Sequence, residues 1–315
     1  MRTRDIAGMP VTELGFGGAS SGNLYRAVSD ETAAAAIDAA WAGGIRYFDT
    51  APHYGLGLSE RRLGAALAGR PRAEFVLSTK VGRLLQPNPA PTGSDLAAGG
   101  FDVPDDLVRR FDFSRDAVRR SIADSLTRIN VDAVDIAYVH DPDDHLDTAI
   151  HDAVPALVEL RDQGVIRAAG VGTNRWETAL RMVRETDLDV VMLAGRWTLL
   201  DRSGAALLAE CAQRGVTVVA AAPYNSGLLA RDRPAPDAHF DYGAPPADVR
   251  ARAGELAAVC ERHGTRLPAA ALQFPLRSPQ VAAVVCGMRD AEQVTATIAR
   301  YRTGIAAETW EALHA

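Results

Sequence analysis

Eight short apolar runs, each followed by an Ala- and Leu-rich helical stretch, constrain this chain more than any other feature. The runs are Leu14–Gly18, Ile45–Asp49, Phe75–Lys80, Val134–His140, Val165–Val171, Val190–Leu193, Val216–Ala221 and Val281–Cys286. The helical stretches cover 30–43, 58–69, 114–129, 147–163, 175–185, 202–214, 247–263 and 291–300. The runs are continuously apolar rather than alternating, which is the pattern of strands covered on both faces. Eight strands, each leading into a helix, are what a closed parallel barrel needs. The expected fold is a (β/α)8 TIM barrel, one domain over residues 1–315, with long loops at its C-terminal face.

Local signals agree with this pattern. Ser29 and Ser114 each precede a helical stretch with an acid in its first turn, as N-caps do. Gly43-Gly44, Gly164 and Gly215 stand where helices must stop before the next strand. Two stretches break the rhythm: 83–112, rich in Pro, Gly and Asp, and 230–247, which reads Arg-Asp-Arg-Pro-Ala-Pro-Asp and then Gly-Ala-Pro-Pro. They follow the third and seventh strands, at the end of the barrel where active sites lie, and are expected to wall a substrate pocket.

In a barrel, polar residues at the C-terminal ends of different strands converge on one axis. The second strand ends at Asp49, with Tyr54 one short loop later; the third ends at Lys80 and the fourth at His140. Lys80 is the only lysine among 34 basic residues; the other 33 are arginine. Arginine supplies surface charge equally well, but it presents a broad fork and never deprotonates, so it cannot replace a compact, proton-active ammonium. An ammonium beside a phenol favours the phenolate and tunes it as an acid or base. An aspartate keeps that ammonium charged and in place, and a histidine orients the same oxygen. The set suits proton transfer at a carbonyl or alcohol oxygen, with Tyr54 as acid/base. Nothing in it accepts a hydride, so a cofactor must.

Charge and cysteine usage exclude other classes. A net charge of −6 argues against nucleic acid or an anionic membrane as a main partner. Cys211, Cys260 and Cys286 are far apart and in no C-x-x-C arrangement, so neither a disulfide framework nor a zinc ribbon is expected. No run of eighteen apolar residues occurs, and a cytoplasmic enzyme is expected.

The segments carrying these residues resemble the aldo-keto reductase family. Tyr47-Phe-Asp-Thr-Ala-Pro-His-Tyr-Gly55 with Ser59-Glu-Arg-Arg-Leu-Gly64 is similar to its Asp-to-Tyr signature; Val76-Leu-Ser-Thr-Lys-Val-Gly82 is similar to its lysine segment. Asp135-Ile-Ala-Tyr-Val-His140 is similar to its histidine strand. The resemblance implies the same barrel, NAD or NADP as coenzyme, and the roles read above for Tyr54, Asp49, Lys80 and His140. In Gly170-Val-Gly-Thr-Asn174 it implies that Thr173 and Asn174 meet the nicotinamide carboxamide. It also implies that Ser226, Gly227 and Leu229 hold the pyrophosphate, and that Gly287, Arg289 and Gln293 face the adenosine.

The chain departs from the family pattern at three positions. Ala221 stands where an aromatic commonly stacks on the nicotinamide, Ala194 near a usual glutamine, and Thr297 in place of an asparagine. Trp197 and Tyr224 are the aromatics available to take over the stacking. Leu-Ala-Gly-Arg-Trp-Thr-Leu-Leu-Asp201, Pro-Tyr-Asn-Ser-Gly-Leu-Leu229 and Phe111-Asp-Phe-Ser resemble the branch with D-threo-aldose (L-fucose) 1-dehydrogenases and pyridoxal 4-dehydrogenases. That resemblance implies oxidation of a cyclic hemiacetal to a lactone, with NAD favoured and Tyr54 taking the hydroxyl proton. His53, Arg196 and Trp197 are the candidate contacts to the sugar or carbonyl substrate.

Three other readings stay open. An NADPH-dependent reductase of aldehydes or ketones would use the same residues in the opposite direction. His140-Asp-Pro-Asp-Asp-His145, with His53, could instead hold a metal on a barrel hydrolase. A cofactor-binding regulatory subunit is the remaining alternative, although an intact set of four reactive residues does not suggest lost activity.

Overall fold

The computed structural model describes residues 1–241 and 243–314. Eight parallel strands close into a barrel: β1 (Leu14–Gly17), β2 (Tyr47–Asp49), β3 (Val76–Val81), β4 (Ile136–His140), β5 (Ala168–Thr173), β6 (Val190–Ala194), β7 (Thr217–Ala221) and β8 (Val281–Gly287). Sequential strands pair in order, and β8 closes on β1 through Val284 opposite Leu14. Eight helices lie between strands and after the last: α1 (Asp30–Ala42), α2 (Leu58–Leu67), α3 (Arg115–Ile129), α4 (Val154–Asp162), α5 (Trp176–Glu185), α6 (Ala205–Arg214), α7 (Ala247–Arg262) and α8 (Ala291–Arg302). All eight expected strands and helices are present, with bounds shifted by a few residues. The largest shift is in the helix expected over 147–163, where a π-helical turn at Ala149–Ala153 precedes α4.

The expected caps form. The Ser29 side chain accepts from the Thr32 amide at 3.2 Å, and Ser114 from that of Ala117 at 3.4 Å. Gly64, in the middle of α2, has no room for a side chain: a Cβ there would lie 1.8 Å from the Ile129 carbonyl oxygen. Its absence brings α2 against the end of α3, where buried Glu60 accepts from Arg128 at 2.5 Å and from Thr79 on β3 at 2.8 Å.

Period-two alternation decides what each strand shows to the barrel axis. Phe48, Leu77, Ala137 and Val139 face the helices and join the outer core. Tyr47, Val76, Ile136, Tyr138, Val190 and Val219 point inward and fill the barrel. The Tyr47 and Tyr138 hydroxyls satisfy each other there at 2.9 Å.

Four elements were not apparent from the apolar runs. An antiparallel hairpin, Thr3–Ile6 with Met9–Thr12, puts buried Ile6, Met9 and Val11 against the lower barrel core. Its two-residue turn, Ala7-Gly8, has φ of 48° and 77°, the left-handed pair that tight hairpins require. A second hairpin, Arg83–Pro87 with Leu107–Phe111, occupies most of the stretch read as a 30-residue loop. Helices at Leu267–Gln273 and Ala307–His314 pack with α7 in a satellite core. No helix among the described residues is long and apolar enough to cross a membrane.

Candidate active site

The same alternation builds the site. Two residues beyond Tyr47, Ser78 and Tyr138, each strand presents its next inward side chain: Asp49, Lys80 and His140. All three are at least nine-tenths buried. Lys80 Nζ donates to Asp49 Oδ2 at 2.6 Å and to the Thr50 carbonyl at 3.0 Å. Ser78 Oγ donates to Asp49 Oδ1 at 2.7 Å, so both carboxylate oxygens are held. Tyr54, from the β2–α2 loop, lies over this pair with its ring centre 4.6 Å from Lys80 Nζ. Burial alone would discharge the ammonium. The charge of Asp49, followed by that of Tyr54 and by hydrogen bonds to both, outweighs it and raises the Lys80 pKa.

His140 stands edge-on to Tyr54, with ring centres 5.9 Å apart. His53 stands edge-on to His140 at 5.6 Å and to Phe101 at 5.2 Å. Burial first, then the charge of Arg83, pushes His140 well below the ordinary histidine range and His53 down to about 2. Both imidazoles are therefore neutral near pH 7. Arg83 also pairs with Asp141, and Arg109 fixes the His53 carbonyl at 2.9 Å while gripping Asp95 with two bonds of 2.6 Å.

Tyr54, Lys80, His140 and His53 line one cavity of about 430 Å³, together with Thr173, Asn174, Phe101 and Asp141. Its roof joins two loops: the Tyr25 amide donates to the Gly100 carbonyl at 2.8 Å, and Asp102 to that of Asn23 at 3.0 Å. A second cavity of about 280 Å³ meets the first at Tyr54 and runs past Gly17, Gly18, Ser226, Gly227 and Gly287. Of the residues read as coenzyme contacts, Thr173 and Asn174 thus line the first cavity, and Ser226, Gly227 and Gly287 the second. Asn225, Ser226 and Gly227 all have positive φ, which turns the backbone sharply at the cavity edge.

Other expected contacts fall elsewhere. Leu229 is wholly buried in the satellite core, and its side chain lines neither cavity. Arg289 and Gln293 lie beyond the second cavity, where Gln293 Oε1 accepts the Arg289 amide at 3.0 Å and Arg289 Nη2 reaches the Leu24 carbonyl at 3.4 Å. Arg196 and Trp197, read as substrate contacts, line neither cavity. The Arg196 guanidinium is engaged by the Asn174 carbonyl, Asp201 and Asp241. Trp197 packs on Phe274 with ring centres 5.7 Å apart and lines neither cavity. Tyr224, the other aromatic considered, does line the second cavity. Tyr242, within the 230–247 stretch, lies outside the described residues.

Residue chemistry alone did not identify Ser78, Phe101, Asp141, Arg83 or Arg109. Ser78 was accessible by counting two back from Lys80, and Asp141 directly follows His140 at the strand end; Phe101, Arg83 and Arg109 depend on how the second hairpin folds over the rim. Among the described residues, no three His, Cys, Asp or Glu side chains are grouped as a metal would need, so His140, His145 and His53 do not support the metal-hydrolase reading.

Comparison with known proteins agrees with this geometry. The Aldo/keto reductase family matches residues 13–315. A D-threo-aldose 1-dehydrogenase from Pseudomonas sp is 48% identical over 98% of this chain and 94% of its own. A pyridoxal 4-dehydrogenase from Microbacterium luteolum is 38% identical over 97% and 94%. Among solved structures, the aldo-keto reductase AKR11C1 from Bacillus halodurans, in its holo form, superposes with a TM-score of 0.79 at 26% identity, covering 100% of this chain and 95% of that one. With its barrel, its strand-end residues and a family match along nearly its whole length, the chain belongs to the aldo/keto reductase family of enzymes.

Proposed function

We propose that this enzyme oxidises an aldose of the L-fucose or D-threo-aldose type at C1 of its cyclic hemiacetal, giving the lactone, with Tyr54 as general base. The observation that carries the reading is Tyr54 over the buried Lys80–Asp49 pair, beside a neutral His140, at the base of a cavity large enough for a monosaccharide. The name of the 48% identical relative supports the substrate class.

The residues present fit a nicotinamide coenzyme. Gly17, Gly18, Ala19, Ala194 and Ala221 line the joined cavities without filling them, which leaves room for a flat ring next to Tyr54. When bound, the coenzyme supplies the acceptor for the electrons removed at C1. Tyr54, as the phenolate favoured by the Lys80 ammonium beside it, takes the hydroxyl proton and becomes the neutral phenol. Neutral His140 orients the substrate oxygen. Phe101 and Leu24 restrict water from above. Thr173 and Asn174 flank the ring site, Ser226 and Gly227 the phosphate side, and Gly287 the adenosine side.

NAD is the coenzyme favoured by the branch resemblance. NADP has an observation of its own. Arg289, two residues beyond the cavity-lining Gly287, has a buried Nε with no hydrogen-bond partner, which supports a phosphate contact there. Pyridoxal as substrate is supported by the name of the 38% identical relative.

The test is nicotinamide reduction with L-fucose, D-arabinose, L-galactose and pyridoxal, each offered with NAD and then NADP. Turnover of a sugar, lost in Tyr54→Phe, supports both the substrate class and the base. No oxidation of any of them, with NADPH-dependent reduction of simple aldehydes, moves the function to carbonyl reductase.

A further inference from the structure

One acidic group on the cavity wall has no part in the chemistry above. Asp141 directly follows His140, and its backbone is left-handed, with φ of 43°, a conformation uncommon outside glycine and usually sustained for a reason. Its amide donates to the Gly172 carbonyl at 2.9 Å, which anchors the turn to β5. Asp141 lines the substrate cavity, and its Oδ2 lies 3.6 Å from His140 Nε2. Arg83, from the second hairpin and itself only 11% exposed in its side chain, pairs with that same oxygen.

The pair is only partly buried, and such an ion pair contributes little to stability, because desolvation and solvent screening offset most of the attraction. A fixed carboxylate is, however, a strong hydroxyl acceptor. It offers about four acceptor sites, and Arg83 engages Oδ2, so acceptor capacity remains at the cavity wall. The same wall contains another polar atom in want of a partner, His53 Nδ1, buried and without a hydrogen bond. A substrate whose reacting oxygen sits between Tyr54 and His140 brings its next substituent towards the carboxylate beside that imidazole.

We propose that Asp141, held by Arg83, accepts a hydrogen bond from the hydroxyl on the carbon next to the reacting carbon, and so selects 2-hydroxylated aldoses. This rests on the aldose reading above. A site built to bond a hydroxyl rejects the analogue lacking it, since its own polar group is then left unpaired.

The experiment is a substrate-and-side-chain cycle. kcat/KM is measured for D-arabinose and its 2-deoxy counterpart, with wild type, Asp141→Ala and Asp141→Asn; coenzyme titration by tryptophan fluorescence shows that each variant is folded. We expect wild type to prefer the parent sugar by about 10- to 100-fold. In Asp141→Ala that preference collapses towards one, because turnover of the parent falls to the level of the deoxy sugar. Asp141→Asn, which keeps an acceptor oxygen, retains part of it. An unchanged preference in Asp141→Ala, or none in wild type, overturns the assignment while leaving the aldose reading intact. A wild type inert to every aldose overturns both.

Discussion

Lys80 Nζ lies 2.6 Å from Asp49 Oδ2 and 4.6 Å from the centre of the Tyr54 ring, with Lys80 and Asp49 both almost completely withdrawn from water. The chain's one lysine therefore links a buried carboxylate to the phenol that faces the cavity. Removing one member of such a pair strands the other. Asp49→Asn should lower unfolding free energy by about 3–5 kcal/mol, whereas Asp49→Asn with Lys80→Met should recover much of it. The double variant should still be inactive. Urea unfolding beside kcat measures both; a double variant no more stable than Asp49→Asn would refute the coupling.

Tyr54→Phe removes one oxygen and keeps the ring over Lys80. Its fold should survive, with coenzyme affinity changed by no more than a few-fold. kcat should fall by about 10²–10⁴, the usual worth of a positioned proton-transfer group. Single-turnover rates with saturating coenzyme would measure this directly, and a variant retaining a tenth of wild-type kcat would remove Tyr54 from its role.

Two neutral histidines, His140 buried and His53 partly buried, make stability depend on pH in one direction. Burial, then Arg83 and Arg109, holds His53 down to about 2, against 6.5 for a free histidine. Above pH 6.5 neither the folded nor the unfolded chain binds this proton. As pH falls below 6.5, the unfolded chain takes it up and the folded chain does not, so stability is lost, at most about 1.4 kcal/mol per pH unit for each such group. His53→Asn should flatten the loss between pH 6 and 4 by up to one proton. Urea midpoints at several pH values give the slope; an identical slope in the variant would mean that His53 titrates freely in the folded protein.

What the sequence made legible was whatever rests on periodicity. Asp49, Lys80 and His140 come together because each ends a strand whose inward positions recur every second residue, and strand ends can be read from apolar runs. Arg196 and Trp197 were misplaced for the opposite reason. They follow β6 in a loop, where no period fixes direction, and ion pairing with Asp241 and packing on Phe274 carried them elsewhere. The second hairpin was hidden by its composition: 83–112 is rich in Pro, Gly and Asp, and its strands are short and half exposed. Phe101 reaches the cavity, and Arg83 the cavity-lining Asp141, only through that hairpin and its loop. The N-terminal hairpin turns at Ala7-Gly8, a weaker signal than Asn-Gly.

Arg196 has a use despite lying outside the cavity. It donates to the Asn174 carbonyl at 3.0 Å and to Asp241 at 3.1 and 2.7 Å, so it ties the cavity-lining Asn174, the proposed coenzyme contact, to the long loop after β7. Arg196→Ala should weaken coenzyme binding by about 2- to 10-fold, as expected for one hydrogen bond of ~0.5–1.5 kcal/mol, with kcat at saturation nearly unchanged. Fluorescence titration with NAD and NADP is the measurement. A fall in kcat with unaltered coenzyme affinity would place Arg196 in the chemistry instead.

Two glycines on β5, two residues apart and both inward-facing, separate packing from function. A Cβ on Gly170 would lie 2.6 Å from the Val190 carbonyl oxygen and 2.7 Å from the Tyr138 ring, inside the filled barrel. A Cβ on Gly172 would meet nothing nearer than 3.7 Å, yet Gly172 lines the substrate cavity and faces Lys80 Cε. Gly170→Ala should therefore destabilise the barrel by about 1–3 kcal/mol through overpacking. Gly172→Ala should fold with unchanged or slightly raised stability, since alanine restricts the unfolded chain. Its added methyl stands where substrate meets the layer containing Lys80 and His140, so kcat/KM should fall while Tm holds. Thermal melts and kcat/KM on both variants decide the matter: equal losses of stability would show the two positions to be one packed layer, and an unimpaired Gly172→Ala enzyme would put the substrate elsewhere in the cavity.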